Sequence, residues 1–350
     1  MLMDINHKIL EEIKPCLPNY DCQLGELTDF LEHKGSFEDR QEKALQIIEG
    51  IVTRHGKASL LRFIPELAKV EVAARELKAQ ARDHVVHALL CFVLGIYINE
   101  KFYKPILNLP IDYFQWKIAG LFHDVAYPIQ VAKDIMLSFA KKMCEIQEEL
   151  GIKAPEVIFN IVPKNLELLT NKVNSLALIQ SQLNQWKLDV KADKTYRDMV
   201  KSGDVCHGMI SGLSILRIID FLYEKNNPKR EFKDIYCTDY INWNQTYFKK
   251  DIIPACSAIF IHNFSERHFR GKKIKIGNAP LAFLLKLSDI LQDWERPSGD
   301  NPEGIPSSEF YIDIEDQNLI LKTKDKNAKA KIEKEITSYL ASENIHIRSI

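Results

Sequence analysis

Two adjacent polar residues inside an apolar segment, His123 and Asp124, constrain this chain more than any other feature of its sequence. The segment spans residues 116–128 and reads WKIAGLFHDVAYP. Burying an imidazole beside a carboxylate is costly unless both are paired or bind a metal. Pro128 disfavours a helical backbone at Tyr127, so we expect the helix to end or kink there with His123 and Asp124 in its last turn. Because the dipeptide alone is common, its meaning depends on the other ligand-type residues of the chain.

Composition and charge exclude several classes of protein. The 350 residues are 46% hydrophobic and 27% charged, with a formal net charge of -1, as in an ordinary globular protein. This balance does not favour binding to long nucleic acid or to a membrane surface. The seven cysteines form no CxxC pair, and the N-terminus has no apolar signal core. We therefore expect a cytoplasmic protein with reduced cysteines and no membrane partner.

Hydrophobic periodicity predicts a mainly α fold, a helical bundle. Ser36 is placed to cap a helix whose apolar residues recur at helical spacing over 39–54. Residues 71–100 are predicted to form one long helix, with a charged first half and an apolar second half. Two more apolar helices are predicted over 251–264 and 279–296. The more polar residues 129–200 are interpreted as an insertion or cap, and residues 226–250 as a loop-rich rim.

The pattern changes after the Pro/Gly/Ser-containing stretch 297–308. In two segments, FYIDI and LILKT, apolar and polar residues alternate, and this pattern predicts a β-hairpin around residues 315–318. An amphipathic helix over 327–343 and a last strand, IHIRSI, complete a small α+β appendage. The predicted divisions are an N-terminal helical region (1–75), a metal-binding helical domain (76–300) with the insertion at about 129–200, and the appendage (305–350).

The apolar segments carry a set of imidazole and carboxylate groups. In chain order these are His87 (or His84), His123, Asp124, His207, His262 and Asp289. Such ligands suit Mn, Fe, Co, Ni or Zn, with Mg also compatible, rather than calcium. Six groups exceed the needs of one open site, so the set suggests two metal ions. Asp124 is the natural shared ligand, since each carboxylate oxygen can reach a different ion.

The order H…HD…H…H…D resembles the HD-domain superfamily of metal-dependent phosphohydrolases, over about residues 80–296. His87 fits the first position because Gly95 follows eight residues later. The resemblance implies that one ion is held by His87, His123, Asp124 and Asp289, and a second by Asp124, His207 and His262. It implies hydrolysis of a phosphoester or phosphoanhydride bond in a small nucleotide-like substrate, by a hydroxide between the two ions. Loss of Asp124 should then empty both positions, whereas loss of His123 should mainly weaken one.

Further residues are candidates for contact with the substrate. Asp124, His84 and Lys286 are the predicted catalytic residues, and cationic groups are needed to bind phosphate. The predicted substrate-binding residues are Arg82, Arg217, Arg267 and His268. Solvation is the ordinary role of such charges, and Arg217 could equally pair with Asp220. Lys286 is the hardest to explain by solvation, because it lies three residues before Asp289 in an apolar helix.

Other functions fit the same residues. Di-iron oxygenases of the myo-inositol-oxygenase type have a similar ligand order. A nucleotide-sensing or scaffold protein would bind metal without turnover, and the appendage is a plausible surface for homo-oligomer contact. His207 and His262 could also be satisfied core histidines, because single-metal members of the superfamily lack these two ligands.

Overall fold

The computed structural model describes residues 3–33, 35–54, 63–77, 83–149, 162–163, 165–169, 174–225, 247–296, 304–341 and 343–350. The fold is mainly α-helical with small strands near the C-terminus, as predicted. Its helices are α1 (Ile5–Ile13), α2 (Leu24–Glu32), α3 (Phe37–Arg54), α4 (Phe63–Leu77), α5 (His84–Ile98), α6 (Tyr113–Phe122), α7 (Tyr127–Glu149), α8 (Ser175–Gln185), α9 (Ala192–Ser202), α10 (His207–Lys225), α11 (Ile253–His262), α12 (Pro280–Leu291) and α13 (Lys326–Tyr339). Most of the rim predicted over 226–250 lies outside the described residues.

The centre of the bundle is formed by α5, α6, α11 and α12, which pack against one another. Every residue of α5 is buried. Helix α5 continues into a π-helical segment, and together they span His84–Leu107. This stretch is long and apolar enough to cross a membrane, but 89% of its apolar part is buried inside the fold. It is therefore a core helix of the bundle, and the cytoplasmic location stays a prediction.

The single long helix predicted over 71–100 is wrong. Helix α4 ends at Leu77, and Asp83 has an extended backbone (φ -87°, ψ 98°) directly before α5. The Asp83 carboxylate accepts a hydrogen bond from the Val86 amide at 2.9 Å, which satisfies a free N–H of the first helical turn. As a consequence, His84 and His87 lie in the first turn of α5 rather than in the middle of a continuous helix.

The turn between α6 and α7 carries the His-Asp pair. Helix α6 ends at Phe122, and α7 begins at Tyr127. The helix end predicted at Tyr127 is therefore wrong: Pro128 lies in the first turn of α7, where its missing N–H is tolerated. Asp124 lies in the connecting turn rather than in the last helical turn, which corrects the predicted position. The turn is fixed to α10 by a hydrogen bond of 3.0 Å from the Ala126 amide to the Ser211 hydroxyl.

Two glycines let α10 and α11 approach closely. A Cβ atom at Gly212 would lie 2.6 Å from the Cys256 carbonyl oxygen, and one at Gly208 would lie 2.9 Å from the His262 ring. Real side-chain carbons are not found at such distances from backbone oxygens, so this spacing of the two helices requires glycine. The approach brings His207, the first residue of α10, beside His262, the last residue of α11.

The C-terminal hairpin, helix and last strand are confirmed. Strands β2 (Phe310–Glu315) and β3 (Asn318–Thr323) pair in antiparallel fashion, and β5 (Ile345–Ser349) adds to β3 in parallel. A further short parallel pair joins β4 (Leu340–Ala341) to β1 (Ile274–Lys275), which directly precedes the turn into α12. This pairing fixes the appendage, and with it the end of α13, against the helical bundle.

Candidate metal centre

The predicted ligand residues meet in one pocket at the ends of the central helices. The first turn of α5, the α6–α7 turn, the start of α10 and the ends of α11 and α12 converge there. The cavity has a volume of about 490 Å³, and its lining includes His84, Asp124, His207, His262 and Asp289. Residues that are up to 205 positions apart in the sequence therefore share one site.

The two oxygens of Asp124 face different sets of histidines. Its Oδ1 lies 3.1 Å from the Nε2 atom of His207 and 3.2 Å from that of His262. Its Oδ2 lies 3.4 Å from the Nε2 atom of His123 and 3.9 Å from that of His87. The carboxylate of Asp124 therefore lies among all four histidines, with His207 and His262 on the side of Oδ1 and His123 and His87 on the side of Oδ2.

The ring orientation of these four histidines is set by their Nδ1 atoms. Each Nδ1 lies against an oxygen that accepts a hydrogen bond: Gly120 O for His123 (3.0 Å), Ile259 O for His262 (2.7 Å), Gln130 Oε1 for His207 (2.7 Å) and Gln292 Oε1 for His87. These partners favour the tautomer with the proton on Nδ1. All four Nε2 lone pairs then face Asp124, and metal-binding histidines are usually oriented in this way.

Among the four Nε2 atoms, that of His123 has no hydrogen-bond partner. The Nε2 atom of His123 is buried and unsatisfied, and the side chain is fully buried. Because an unsatisfied buried polar atom is costly, its presence points to a ligand that the lone pair can bind. A metal ion between His123 and Asp124 would satisfy it.

The protonation states suit cation binding. Burial lowers the pKa of His84, His87 and His123, so these rings are neutral at neutral pH. Burial by itself would raise the pKa of Asp124, but the neighbouring His123, His207 and His262 hold it well below its ordinary value. Neutral imidazoles and ionised carboxylates are the forms that bind metal without first losing protons.

Asp289 completes the set beside His87. Its Oδ1 lies 3.2 Å from the Nε2 atom of His87, and its carboxylate is flanked by two cations, Lys286 at 3.8 Å and Arg296 at 3.7 Å. Although burial opposes it, the contact with His87 and these two cations keep the pKa of Asp289 well below its ordinary value. Helix α12 ends at Leu291, five residues before the end predicted at 296, and Gln292 in the following turn faces His87.

His84 lies at the edge of the same pocket and is held from two sides. Its Nδ1 atom is 3.1 Å from the Glu71 carboxylate of α4, and its ring stacks on Tyr127 with centroids 3.4 Å apart. Its Nε2 atom is 3.9 Å from Oδ2 of Asp124. The structure therefore brings both candidate histidines of α5 to the site, with His87 in contact with Asp289.

Among the described residues, two buried groups have donor atoms close enough to hold an ion: His123, Asp124 and His262, and His87, Cys91 and His123. Burial raises the pKa of the Cys91 thiol well above its ordinary value, which disfavours the thiolate needed by a metal. The group around Asp124 is therefore the better metal centre.

The predicted substrate-binding residues that the structure describes do not line the pocket around Asp124. Arg267 and His268 line a neighbouring groove of about 680 Å³. The groove shares Gln130, Asn263 and Ser265 with the pocket. Arg217 donates a hydrogen bond to the Asn165 carbonyl at 2.7 Å and lines neither cavity. Arg82 lies outside the described residues.

Several residues of the site carried no usable sequence signal. Gln130 and Gln292 hold histidines, Arg296 flanks Asp289, and Glu71 holds His84. Glutamine, arginine and glutamate in helices or turns are ordinarily solvated, so a single sequence does not distinguish these from the many others. Only the fold reveals them.

No protein family, curated protein or solved structure matches this chain in comparisons with known proteins. The chain nevertheless has a buried His/Asp cluster around Asp124 that could hold a divalent metal, within a helical fold. This arrangement is compatible with an HD-type site. The likeness to that superfamily therefore rests on the motif and its geometry.

Proposed function

We propose that this chain is an HD-type metal-dependent phosphohydrolase that cleaves a phosphoester or phosphoanhydride bond of a small nucleotide-like substrate. The observation that carries the proposal is the division of the histidines between the two oxygens of Asp124. One ion would be held by His87, His123, Asp124 and Asp289. A second would be held by Asp124, His207 and His262.

The donor set supports transition-metal ions. Imidazole nitrogens together with carboxylate oxygens suit Mn, Fe, Co, Ni or Zn, and the unsatisfied Nε2 atom of His123 is a lone pair without another role. Two such ions supply Lewis acidity to a phosphoryl oxygen and a water molecule of lowered pKa.

The chain's own residues supply the remaining parts of the reaction. Lys286 and Arg296 line the pocket on the Asp289 side and would bind phosphate oxygens. Because the Nδ1 atom of His84 faces Glu71, its Nε2 lone pair faces the pocket. There His84 can accept a proton from water or hold one for the leaving group.

The neighbouring groove supports an anionic substrate that extends beyond the reacting phosphate. Lys191, Lys194 and Arg267 line it, and none of the three pairs with a carboxylate of the described part of the chain within 4 Å. These three cations outnumber the two carboxylates that also line the groove, Asp198 and Asp204, and an excess of positive charge favours a substrate with additional phosphate groups. An oligophosphate chain or a dinucleotide has this chemistry.

The test is a phosphate-release screen across nucleotides, with protein loaded with Mn, Co, Zn or Fe. We expect the wild type to release phosphate. In Asp124→Asn, phosphate release should fall at least about 100-fold and metal should be lost from both positions, because losing a residue that only orients a metal ligand already lowers metal affinity or activity about 10–100-fold. Asp251→Asn is the matched control, since Asp251 is also buried but bonds to Gln115 away from the pocket. Metal content is measured by elemental analysis.

Two outcomes would contradict the proposal. Iron-loaded protein that consumes dioxygen and releases no phosphate would indicate the di-iron oxygenase. Metal binding without turnover of any nucleotide would indicate the sensing or scaffold role, and Asp124→Asn would then change partner binding alone.

A further inference from the structure

The C-terminal helix α13 presents three polar side chains to the metal pocket. Lys331, Glu335 and Tyr339 are spaced four residues apart, so they lie on one face of the helix. All three line the cavity that also contains Asp124 and Asp289. The appendage lies outside the part of the chain that resembles the HD superfamily, yet it forms part of the pocket wall.

The position of this face is fixed at both ends of the helix. Lys331 forms an ion pair with Asp293, in the turn after α12. At the other end β4 begins directly after Tyr339 and pairs with β1. The adjacent face of α13 buries Ile332 and Ile336. The three pocket-facing side chains are therefore held over the site by a packed element.

Tyr339 contacts the one lysine of the pocket that lies on a central helix. The Lys286 ammonium is 4.6 Å from the centroid of the Tyr339 ring and 3.8 Å from Oδ2 of Asp289. It is thus held between an aromatic face and a carboxylate, and its side chain is only 9% exposed. A cation over an aromatic ring is attracted by the ring's electron density, and the attraction is greater when the pair is partly desolvated.

We infer that Tyr339 is a positioning residue that holds Lys286 where it binds a phosphate oxygen of the substrate. The inference rests on the proposed function. Lysine carries its charge on a flexible four-carbon stem, so without the ring the ammonium has more freedom to leave the pocket. The appendage then contributes to substrate affinity through Tyr339.

The variants that test this are Tyr339→Phe, which keeps the ring, and Tyr339→Leu, which removes it. The matched control is Tyr311→Leu, because Tyr311 lies in the same appendage, makes a similar contact with Lys324 (5.7 Å), and does not line the pocket. The readouts are the affinity of the metal-loaded protein for inorganic phosphate by calorimetry, and kcat and KM for phosphate release.

We expect Tyr339→Leu to weaken phosphate binding and raise KM about tenfold, with a smaller change in kcat, because the lost contact acts on bound phosphate. Tyr339→Phe should stay within about twofold of the wild type, since it keeps the aromatic face. Tyr311→Leu should also bind phosphate like the wild type. Metal content should be unchanged in all three.

A double-mutant cycle separates positioning from a general effect on folding. If Tyr339 acts through Lys286, then Tyr339→Leu should weaken phosphate binding no further in a Lys286→Gln background. Additive losses, equal losses in Tyr339→Leu and Tyr311→Leu, or unchanged phosphate affinity in Tyr339→Leu would each overturn the inference.

The two proposals fail in distinguishable ways. Phosphate release by the wild type with unchanged affinity in Tyr339→Leu removes the positioning role and leaves the hydrolase. Phosphate binding that depends on Tyr339, without release from any nucleotide, removes the hydrolase and leaves the positioning role. A wild type that binds no phosphate in any metal-loaded form removes both.

Discussion

Gln292 and Gln130 are uncharged residues that decide how two of the histidines face the metal centre. Gln292 accepts from the Nδ1 atom of His87, and its own amide donates to the Trp294 carbonyl at 2.7 Å, which fixes its orientation. Gln130 lies 2.7 Å from the Nδ1 atom of His207. Each glutamine thereby keeps the Nε2 lone pair of its histidine directed at Asp124.

These contacts predict that the two ion positions can be weakened separately. Gln292→Leu should lower the affinity for the ion beside His87 by about 10–100-fold, and Gln130→Leu should do the same for the ion beside His207. Metal titration of each variant by calorimetry or competition with a chelator measures the two affinities.

Gln182→Leu is the control for this pair, because Gln182 is buried on α8 away from both pockets. If Gln292→Leu and Gln130→Leu weaken the same single binding event, the chain holds one ion rather than two.

At the residue scale, the sequence singled out the histidines and the two aspartates that meet in the cluster, but not the residues that hold them. His123, Asp124 and Asp289 could be selected because such residues are rare in apolar segments. Gln292 and Gln130 resemble any solvated glutamine until the fold is known. The sequence could therefore select residues with an unusual local context, but not residues whose role depends on a distant partner.

At the scale of the helices, the close approach of α10 and α11 sets the distance between His207 and His262. Gly212 faces the Cys256 carbonyl so closely that a methyl group there would require one helix to move. Gly208 lies one turn earlier and faces His262 itself. The pair is visible in the sequence as GMISG, but its partner helix is not.

Gly212→Ala should therefore destabilise the fold by about 1–3 kcal/mol through overpacking, and should weaken the ion held by His207 and His262. Denaturant unfolding and metal titration measure the two effects. Gly25→Ala is the matched control, since Gly25 lies within α2 with nothing within 4 Å of an added Cβ.

The control should be neutral or stabilising by up to about 1 kcal/mol, because alanine is the better helix former. Equal stability and equal metal affinity in Gly212→Ala and Gly25→Ala would show that the spacing of α10 and α11 does not control the site.

The helices themselves were predictable to different degrees. Apolar periodicity located α5, α6, α11 and α12, because each carries a long run of buried residues. The division between α4 and α5 was missed, since Asp83 lies in a charged stretch where an N-cap looks like a surface acid. Cap geometry that depends on one side-chain hydrogen bond is only weakly encoded in residue type.

At the scale of the whole molecule, the position of the appendage over the pocket was the least predictable feature. The amphipathic pattern predicted α13, but which surface it covers depends on the pairing of β4 with β1, between residues 66 positions apart in the sequence. Two-residue strands carry almost no periodic signal. Long-range docking of this kind follows from the assembled fold.

The buried histidines predict how the stability of the metal-free protein depends on pH. Burial lowers the pKa of His84, His87 and His123 below the ordinary value of 6.5, so the folded state keeps them neutral while the unfolded chain protonates them below that pH. The unfolded state then binds more protons, and the free energy of unfolding falls as the pH is lowered from 7 towards 5.

Glu71 contributes in the opposite direction, because burial and then Asp83 raise its pKa, so its cost to the folded state is relieved as the pH falls. Asp124 and Asp289 have lowered pKa values and lose their contribution only below about pH 4. Because the three histidines outnumber the one glutamate, we expect the histidines to set the net trend between pH 7 and 5. Urea unfolding in the presence of a chelator at pH 7, 6 and 5 measures the trend, and a free energy of unfolding that stays constant or rises on acidification would contradict neutral, buried histidines at this site.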